Sequence, residues 1–136
     1  EELPKTDILI KSAAVADYRP KTVSDNKLKK HDGELSLPLE RTADILKWVN
    51  ENRHSGLLVC GFSMETENML ENSREKLMKK GLDMIAANNL KTEGAGFGTD
   101  TNVITIITAD STEELPLMSK ADAAAALLDE IERRRV

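Results

Sequence analysis

A run of small residues, Ala13-Ala14-Val15-Ala16, leads into Asp17 and then into a basic segment carrying Arg19, Lys21, Lys27, Lys29 and Lys30. Residues 11–30 hold six Lys/Arg against two Asp, in a chain whose net charge is −5. A local reversal of that size points to an anionic ligand, most simply a phosphorylated one. Small side chains let such a ligand approach the backbone. Asp17 offers a carboxylate oxygen for a magnesium–phosphate contact, and the same spacing also suits a salt bridge to Arg19 or Lys27. Lys27, Lys29 and Lys30 read either as a solvated charge run or as a cover that closes over a triphosphate.

Other residues capable of chemistry are fewer. Lys76 and Lys80 stand four apart, so a helix projects them from one face, where they repel by roughly 0.2–0.5 kcal/mol unless they share an anion. Ordinary solvent-facing pairing, Glu75 with Lys79 at the same spacing, is the alternative. Phe62 ends an apolar run beside Gly61 and is either core or a base-stacking surface. The glycines of Gly94-Ala95-Gly96-Phe97-Gly98 have the spacing of neither a P-loop nor a dinucleotide fingerprint and precede a strand, so they read as a turn. His31 and His54 lack metal-ligand partners at useful spacing, and no serine or cysteine nucleophile is identifiable. Charge stabilisation and positioning are therefore favoured over covalent catalysis.

The elements that position these groups alternate. An apolar run at about residues 7–12 predicts a buried strand, followed by an extended flap over 18–34 with turn signals at Pro20, Asp25-Asn26 and Asp32-Gly33. Leu35, Leu37 and Leu39 alternate toward a short edge strand ending near Glu40. A helix is expected from an N-cap at Thr42, with Ile45, Leu46 and Val49 inward. Leu57 to Phe62 predicts a strand, and residues 67–80 a helix with Met69, Leu70, Leu77 and Met78 inward and Gly81 as its cap. Leu82 to Ala87 and Val103 to Ile107 are further strands. Ser119, with Asp122 three residues on, starts a last helix that turns Ala124, Leu127, Leu128 and Ile131 inward and ends in Arg133 to Arg135. Strand–helix–strand–helix–strand order implies parallel βαβ units in a layered α/β fold. In such folds ligands bind beyond the carboxyl ends of the strands: at Ala13 to Asp17 after the first, Gly61 to Thr66 after the second, and Asn88 and Asn89 after the third.

Composition narrows the class. A length of 136 residues suits one domain. A pI near 5.1 and 3% aromatics argue against a nucleic-acid binder, which needs a broad basic face or stacking platforms. No apolar run approaches the eighteen or so residues of a membrane span. Cys60 is alone in an apolar run and suits a reducing compartment.

Taken together, Ala13-Ala14-Val15-Ala16-Asp17-Tyr18-Arg19, Lys27-Leu28-Lys29-Lys30, Asp44-Ile45-Leu46, Gly61-Phe62-Ser63-Met64-Glu65-Thr66 and Leu82-Asp83-Met84-Ile85-Ala86-Ala87-Asn88 resemble the phosphopantothenoylcysteine synthetase family. Gly96-Phe97 followed by Asp100 and Asn102 also fits. The resemblance implies a Rossmann-like, mostly parallel sheet with flanking helices. It implies a cytoplasmic ligase of coenzyme A biosynthesis that activates 4′-phosphopantothenate with CTP through an acyl-cytidylate. L-cysteine then displaces CMP, with Mg²⁺ required and pyrophosphate released. On matching positions, Ala13, Asp17 and Lys27 fall where the family contacts nucleotide or activated acyl group, with Asp17 near the metal. Ala43, Asp44, Ile45, Leu46, Phe62, Lys76 and Lys80 match further CTP-binding positions. A homodimer is implied, as is FMN only on a fused decarboxylase domain. Thr42-Ala43-Asp44 stands where many members read Asn-Pro-Asp, and Ser63-Met64 where they read Ala-Ala. The family's amino-terminal portion, with a glycine-rich nucleotide loop, has no counterpart here. Residues 1–136 are therefore expected to be the carboxy-terminal part of such a domain.

Overall fold

The computed structural model describes residues 1–29, 32–65, 67–89 and 98–135. After a single 3₁₀ turn at Leu3–Lys5 come β1 (Ile8–Lys11), β2 (Tyr18–Pro20), β3 (Leu39–Arg41), α1 (Ile45–Asn52), β4 (Leu58–Glu65) and α2 (Met69–Lys80). These are followed by β5 (Met84–Asn89), β6 (Thr101–Asn102), β7 (Ile104–Thr108), β8 (Thr112–Glu114), β9 (Met118–Ser119) and α3 (Lys120–Arg134). They form two compact units, Glu1–Ser12 with Leu46–Val136, and Ala13–Ile45.

The larger unit is built on a five-stranded sheet of order β1-β4-β5-β7-β8. β1, β4 and β5 run parallel, as the apolar runs joined by helices require, and β7 and β8 are added antiparallel. The reversal comes from β5 to β7, which no helix bridges among the described residues. One face of the sheet packs Val59, Ile85, Ala87 and Ile107 under Leu46, Val49 and Leu77 of α1 and α2. The other packs Cys60, Met84, Ala86, Ile104 and Ile106 under Ala123, Leu127 and Ile131 of α3. β5 is apolar on both faces because it is covered on both.

Local signals account for several boundaries. Gly81 ends α2 in the left-handed conformation, φ +60°, and its N–H bonds to the Leu77 and Met78 carbonyls. An added Cβ there would lie 2.6 Å from Asn50 Oδ1, so the α1 side chain occupies the space that glycine leaves. Ser119 caps α3, its Oγ accepting from the Asp122 N–H at 3.0 Å and donating to Asp122 Oδ2 at 2.7 Å. Arg133 and Arg134 close the same helix through ion pairs to the buried Glu130, at 3.0 and 2.7 Å.

Other expectations fail on tertiary grounds. Thr42 is not a helix cap: its hydroxyl donates to the Ala16 carbonyl at 2.6 Å, and α1 begins only at Ile45. Leu70 and Met78, expected inward, are exposed, Met78 at 79%. Leu77 is buried and Met69 partly buried as expected, and Ser73 completes the inward stripe of α2. On α3 the inward residue is Ala123 rather than Ala124, and Leu128 is half exposed. The 18–34 flap begins as a strand, since β2 pairs antiparallel with β3 in the smaller unit. Leu35 and Leu37 belong to no strand and are exposed. Lys30, His31, Thr66 and Gly94 to Phe97 lie outside the described residues.

Candidate functional site

At the carboxyl ends of the parallel strands, β1 stops at Lys11 opposite Gly61, while β4 continues to Glu65 and β5 to Asn89. The β4 backbone beyond Gly61 therefore has no β1 partner. Here the Lys76 ammonium, carried on α2, donates to the Phe62 carbonyl at 3.5 Å. Lys76 and Lys80 are both half-buried one turn apart, and their exposed neighbours Glu75 and Lys79 form no ion pair among the described residues. The structure thus brings Lys76 to Phe62. The Phe62 ring packs toward the α3-side core, as does Leu58 before it. Leu46 packs on the opposite face, in the α1/α2 core.

Two residues of the Gly61 to Thr66 motif have packing roles. A Cβ on Gly61 would lie 2.7 Å from Leu82 Cδ1 and 3.5 Å from Ile85 Cγ1, so the glycine admits Leu82 to the sheet. Ser63 bonds Ser73 at 2.7 Å inside the core, tying β4 to α2. Ser63 replaces the Ala common in the resembling family, and its hydroxyl is satisfied by a second serine rather than left for ligand. Cys60 is likewise buried, and desolvation pushes its thiol up to about 12.

In the smaller unit, Ala13, Asp17, Lys27, Ala43 and Asp44 are all exposed. The Asp17 carbonyl accepts from the Thr42 N–H at 2.9 Å, and the Ala16 carbonyl from the Thr42 hydroxyl, which places Asp17 beside the Thr42-Ala43-Asp44 segment. Arg19 is engaged by Glu40 at 2.8 Å rather than by Asp17. Among the described residues the Asp17 carboxylate has no ion-pair partner. No group of three or more His, Cys, Asp or Glu that could hold a metal occurs among them either. An exposed carboxylate is an oxygen donor of the kind that Mg²⁺ takes together with phosphate oxygens and water. Arg41 stacks over the Tyr18 ring at 5.7 Å and stiffens the β2–β3 pair.

At the ends of β4 and β5 the polar residues are amides and one acid. Asn72 donates to Glu65 at 3.3 Å, and Asn102 donates to Asn88 at 2.8 Å. Asn88 was legible as a strand-end residue, whereas the role of Asn102 was not, because its partner lies 14 positions away.

This architecture and strand-end site define a Rossmann-like domain of mixed, mostly parallel type. The chain belongs to the family described as DNA/pantothenate metabolism flavoprotein C-terminal domain, which matches residues 1–134. It is 51% identical over 127 residues to the Coenzyme A biosynthesis bifunctional protein CoaBC of Bacillus subtilis (strain 168), covering 93% of this chain and 31% of that relative. It is 40% identical over 132 residues to a cysteine/cysteine sulfinic acid decarboxylase from an unknown prokaryotic organism, covering 96% of this chain and 37% of that one. The crystal structure of the C-terminal domain of a Coenzyme A biosynthesis bifunctional protein CoaBC superposes with a TM-score of 0.72 at 37% identity. That match covers 94% of this chain and 54% of the other. The chain thus spans about a third of the length of these curated relatives. No helix among the described residues is long and apolar enough to cross a membrane.

Proposed function

We propose that this chain is the CTP-using part of a phosphopantothenate–cysteine ligase, acting in the cytoplasm. The observation that carries the reading is the half-buried lysine pair, with Lys76 on the Phe62 carbonyl at the carboxyl end of β4. It occurs in a sequence 51% identical to a relative named for coenzyme A biosynthesis. In the larger unit, Leu46, Phe62, Lys76 and Lys80 are assigned to CTP. In the smaller unit, Ala43 to Ile45 are likewise assigned to CTP, and Ala13, Asp17 and Lys27 to nucleotide or activated acyl group.

The reaction needs charge management rather than a protein nucleophile. The carboxylate of 4′-phosphopantothenate attacks the α-phosphorus of CTP, and the bond to pyrophosphate breaks. The cysteine amine then attacks the acyl carbon and CMP leaves. Ammonium groups at Lys27, Lys76 and Lys80 stabilise the negative charge that builds on the phosphates. Asp17 would hold Mg²⁺, which supplies further neutralisation of phosphate charge when bound. Cysteine arrives as substrate, so the buried Cys60 thiol is not required. FMN belongs to a fused decarboxylase domain, outside this chain.

A homodimer is part of the same reading. The smaller unit leaves Val23, Leu28, Leu35, Leu37 and Leu39 more than half exposed, apolar surface that a second copy would cover. The alternative reading is a nucleotide-binding or dimerisation module without turnover. Release of CMP from CTP, 4′-phosphopantothenate and cysteine, assayed for the chain alone and within its whole polypeptide, separates the two. Turnover by neither, with CTP still bound, selects the module.

A further inference from the structure

Two serines meet inside the core beside the residues assigned to CTP. Ser63 on β4 is 3% exposed and Ser73 on α2 is fully buried, and their hydroxyls bond at 2.7 Å. Burial makes this bond costly to lose, because a hydroxyl left without a partner there cannot turn to water. The bond also has direction, which apolar contacts lack. Apolar anchoring of α2 is thin: Leu77 is its one buried apolar side chain, and Met69 packs partly against the same core. Arg74 adds an exposed bond to Thr112 on β8, at the far edge of the sheet. A helix resting on so little apolar surface needs the serine pair to hold its register against β4.

The same register places Lys76. Ser73, Lys76 and Leu77 follow one another at helical spacing on the inward side of α2. The Phe62 carbonyl that accepts from Lys76 belongs to the peptide unit whose nitrogen is that of Ser63. The two contacts therefore join α2 to adjoining points of β4, at 2.7 Å for the serines and 3.5 Å for the ammonium. The second is long for a hydrogen bond, so a displacement of α2 by a fraction of an ångström is enough to end it. An ammonium has three donors, and spending one on Phe62 leaves two for a ligand oxygen, in directions the carbonyl restricts.

We propose that Ser63 and Ser73 are positioning residues for the nucleotide: their buried hydrogen bond sets the register of α2 on β4 and thereby aims the Lys76 ammonium at a phosphate oxygen. Both are buried, so they act through Lys76 and not by touching the ligand. The inference rests on the proposed ligase site and adds the device that orders it.

Isothermal titration with CTP and Mg²⁺ is run on the 136-residue chain and on Ser73→Ala, Ser63→Ala/Ser73→Ala, Lys76→Met and Ser63→Ala/Ser73→Ala/Lys76→Met, with urea unfolding of each. Removing both hydroxyls leaves neither unpartnered, so the double alanine variant is expected to unfold close to the urea midpoint of the unmodified chain, and Ser73→Ala earlier. Both are expected to weaken CTP by about threefold to tenfold, less than loss of the charged contact itself. In the Lys76→Met background the two alanines are expected to change CTP affinity by less than about twofold, since no ammonium is left to aim. A merely structural pair would shift unfolding alone, or weaken CTP as much without Lys76 as with it. Binding by the double alanine variant equal to that of the unmodified chain, or an undiminished effect of the alanines in Lys76→Met, overturns the inference, while weakening of CTP by Lys76→Met keeps the ligase reading. If the unmodified chain binds no CTP, both fall together.

Discussion

Gly61 supplies the most quantitative test of how the strand-end motif is built. In the fold, the space above this glycine holds Leu82, whose Cδ1 would be 2.7 Å from an added Cβ. Leu82 is itself 6% exposed and hemmed in by Leu57, Val59 and Ile85 of the same cluster, so it cannot swing away freely. Gly61→Ala should cost about 1–3 kcal/mol, the usual range for overpacking. Leu82→Ala alone should cost about 2–5 kcal/mol through the cavity it leaves. Combined, the methyl added at position 61 fills part of that cavity, so Gly61→Ala becomes neutral or slightly stabilising in the Leu82→Ala background. The double-mutant cycle should return a coupling of about 1–3 kcal/mol. Urea unfolding followed by helix circular dichroism measures all four corners. Additivity within about 0.5 kcal/mol refutes the packing argument. Unchanged stability of Gly61→Ala with lost CTP binding would instead give the glycine a role in ligand approach.

Three further outcomes follow from individual contacts. Cys60 keeps its proton to about pH 12 when folded, because burial raises the thiol from its ordinary value of 9.0. The unfolded thiol ionises first, so stability attributable to it is intact below pH 9 and falls as pH rises toward 12, by about 1.4 kcal/mol per unit. Unfolding free energies at about pH 8 and pH 10 should diverge by roughly that amount between the unmodified chain and Cys60→Ala, and parallel behaviour refutes it. The folded chain should also resist thiol reagents at about pH 8, labelling only as fast as it opens. Ser119→Ala removes the α3 cap and should cost about 0.5–2 kcal/mol in urea unfolding, whereas Thr42→Ala should leave the intrinsic start of α1 unmoved in backbone chemical shifts.

What sequence could reveal depended on the range of the cause. The Ser119 cap, the Gly81 stop and the apolar runs that became β1, β4 and β5 act within a few residues, and each was legible. Thr42 looked like a cap until the Ala16 carbonyl, 26 residues away, took its hydroxyl. β8 escaped notice because Thr112-Glu113-Glu114 is an exposed edge strand with charged side chains, which blunt edge pairing and carry no apolar alternation. Met78 and Leu128 fit an apolar stripe by type, yet the faces of α2 and α3 are set by which residues meet the sheet. At the site, Lys76 and Phe62 were both legible, but their contact needed the β4–α2 geometry. The Asn102–Asn88 contact was hidden in the same way, since it joins residues 14 positions apart.

Everything proposed for the strand-end site turns on Lys76 and Lys80 forming part of a nucleotide triphosphate site. Isothermal titration of the chain with CTP and Mg²⁺ tests this directly, beside Lys76→Met and Lys80→Met. Saturable CTP binding that each variant weakens by about tenfold or more is expected, each lost charged contact being worth about 1.5–3 kcal/mol. Absence of CTP binding, or affinity unchanged in both variants, would leave the lysine pair without the role assigned to it.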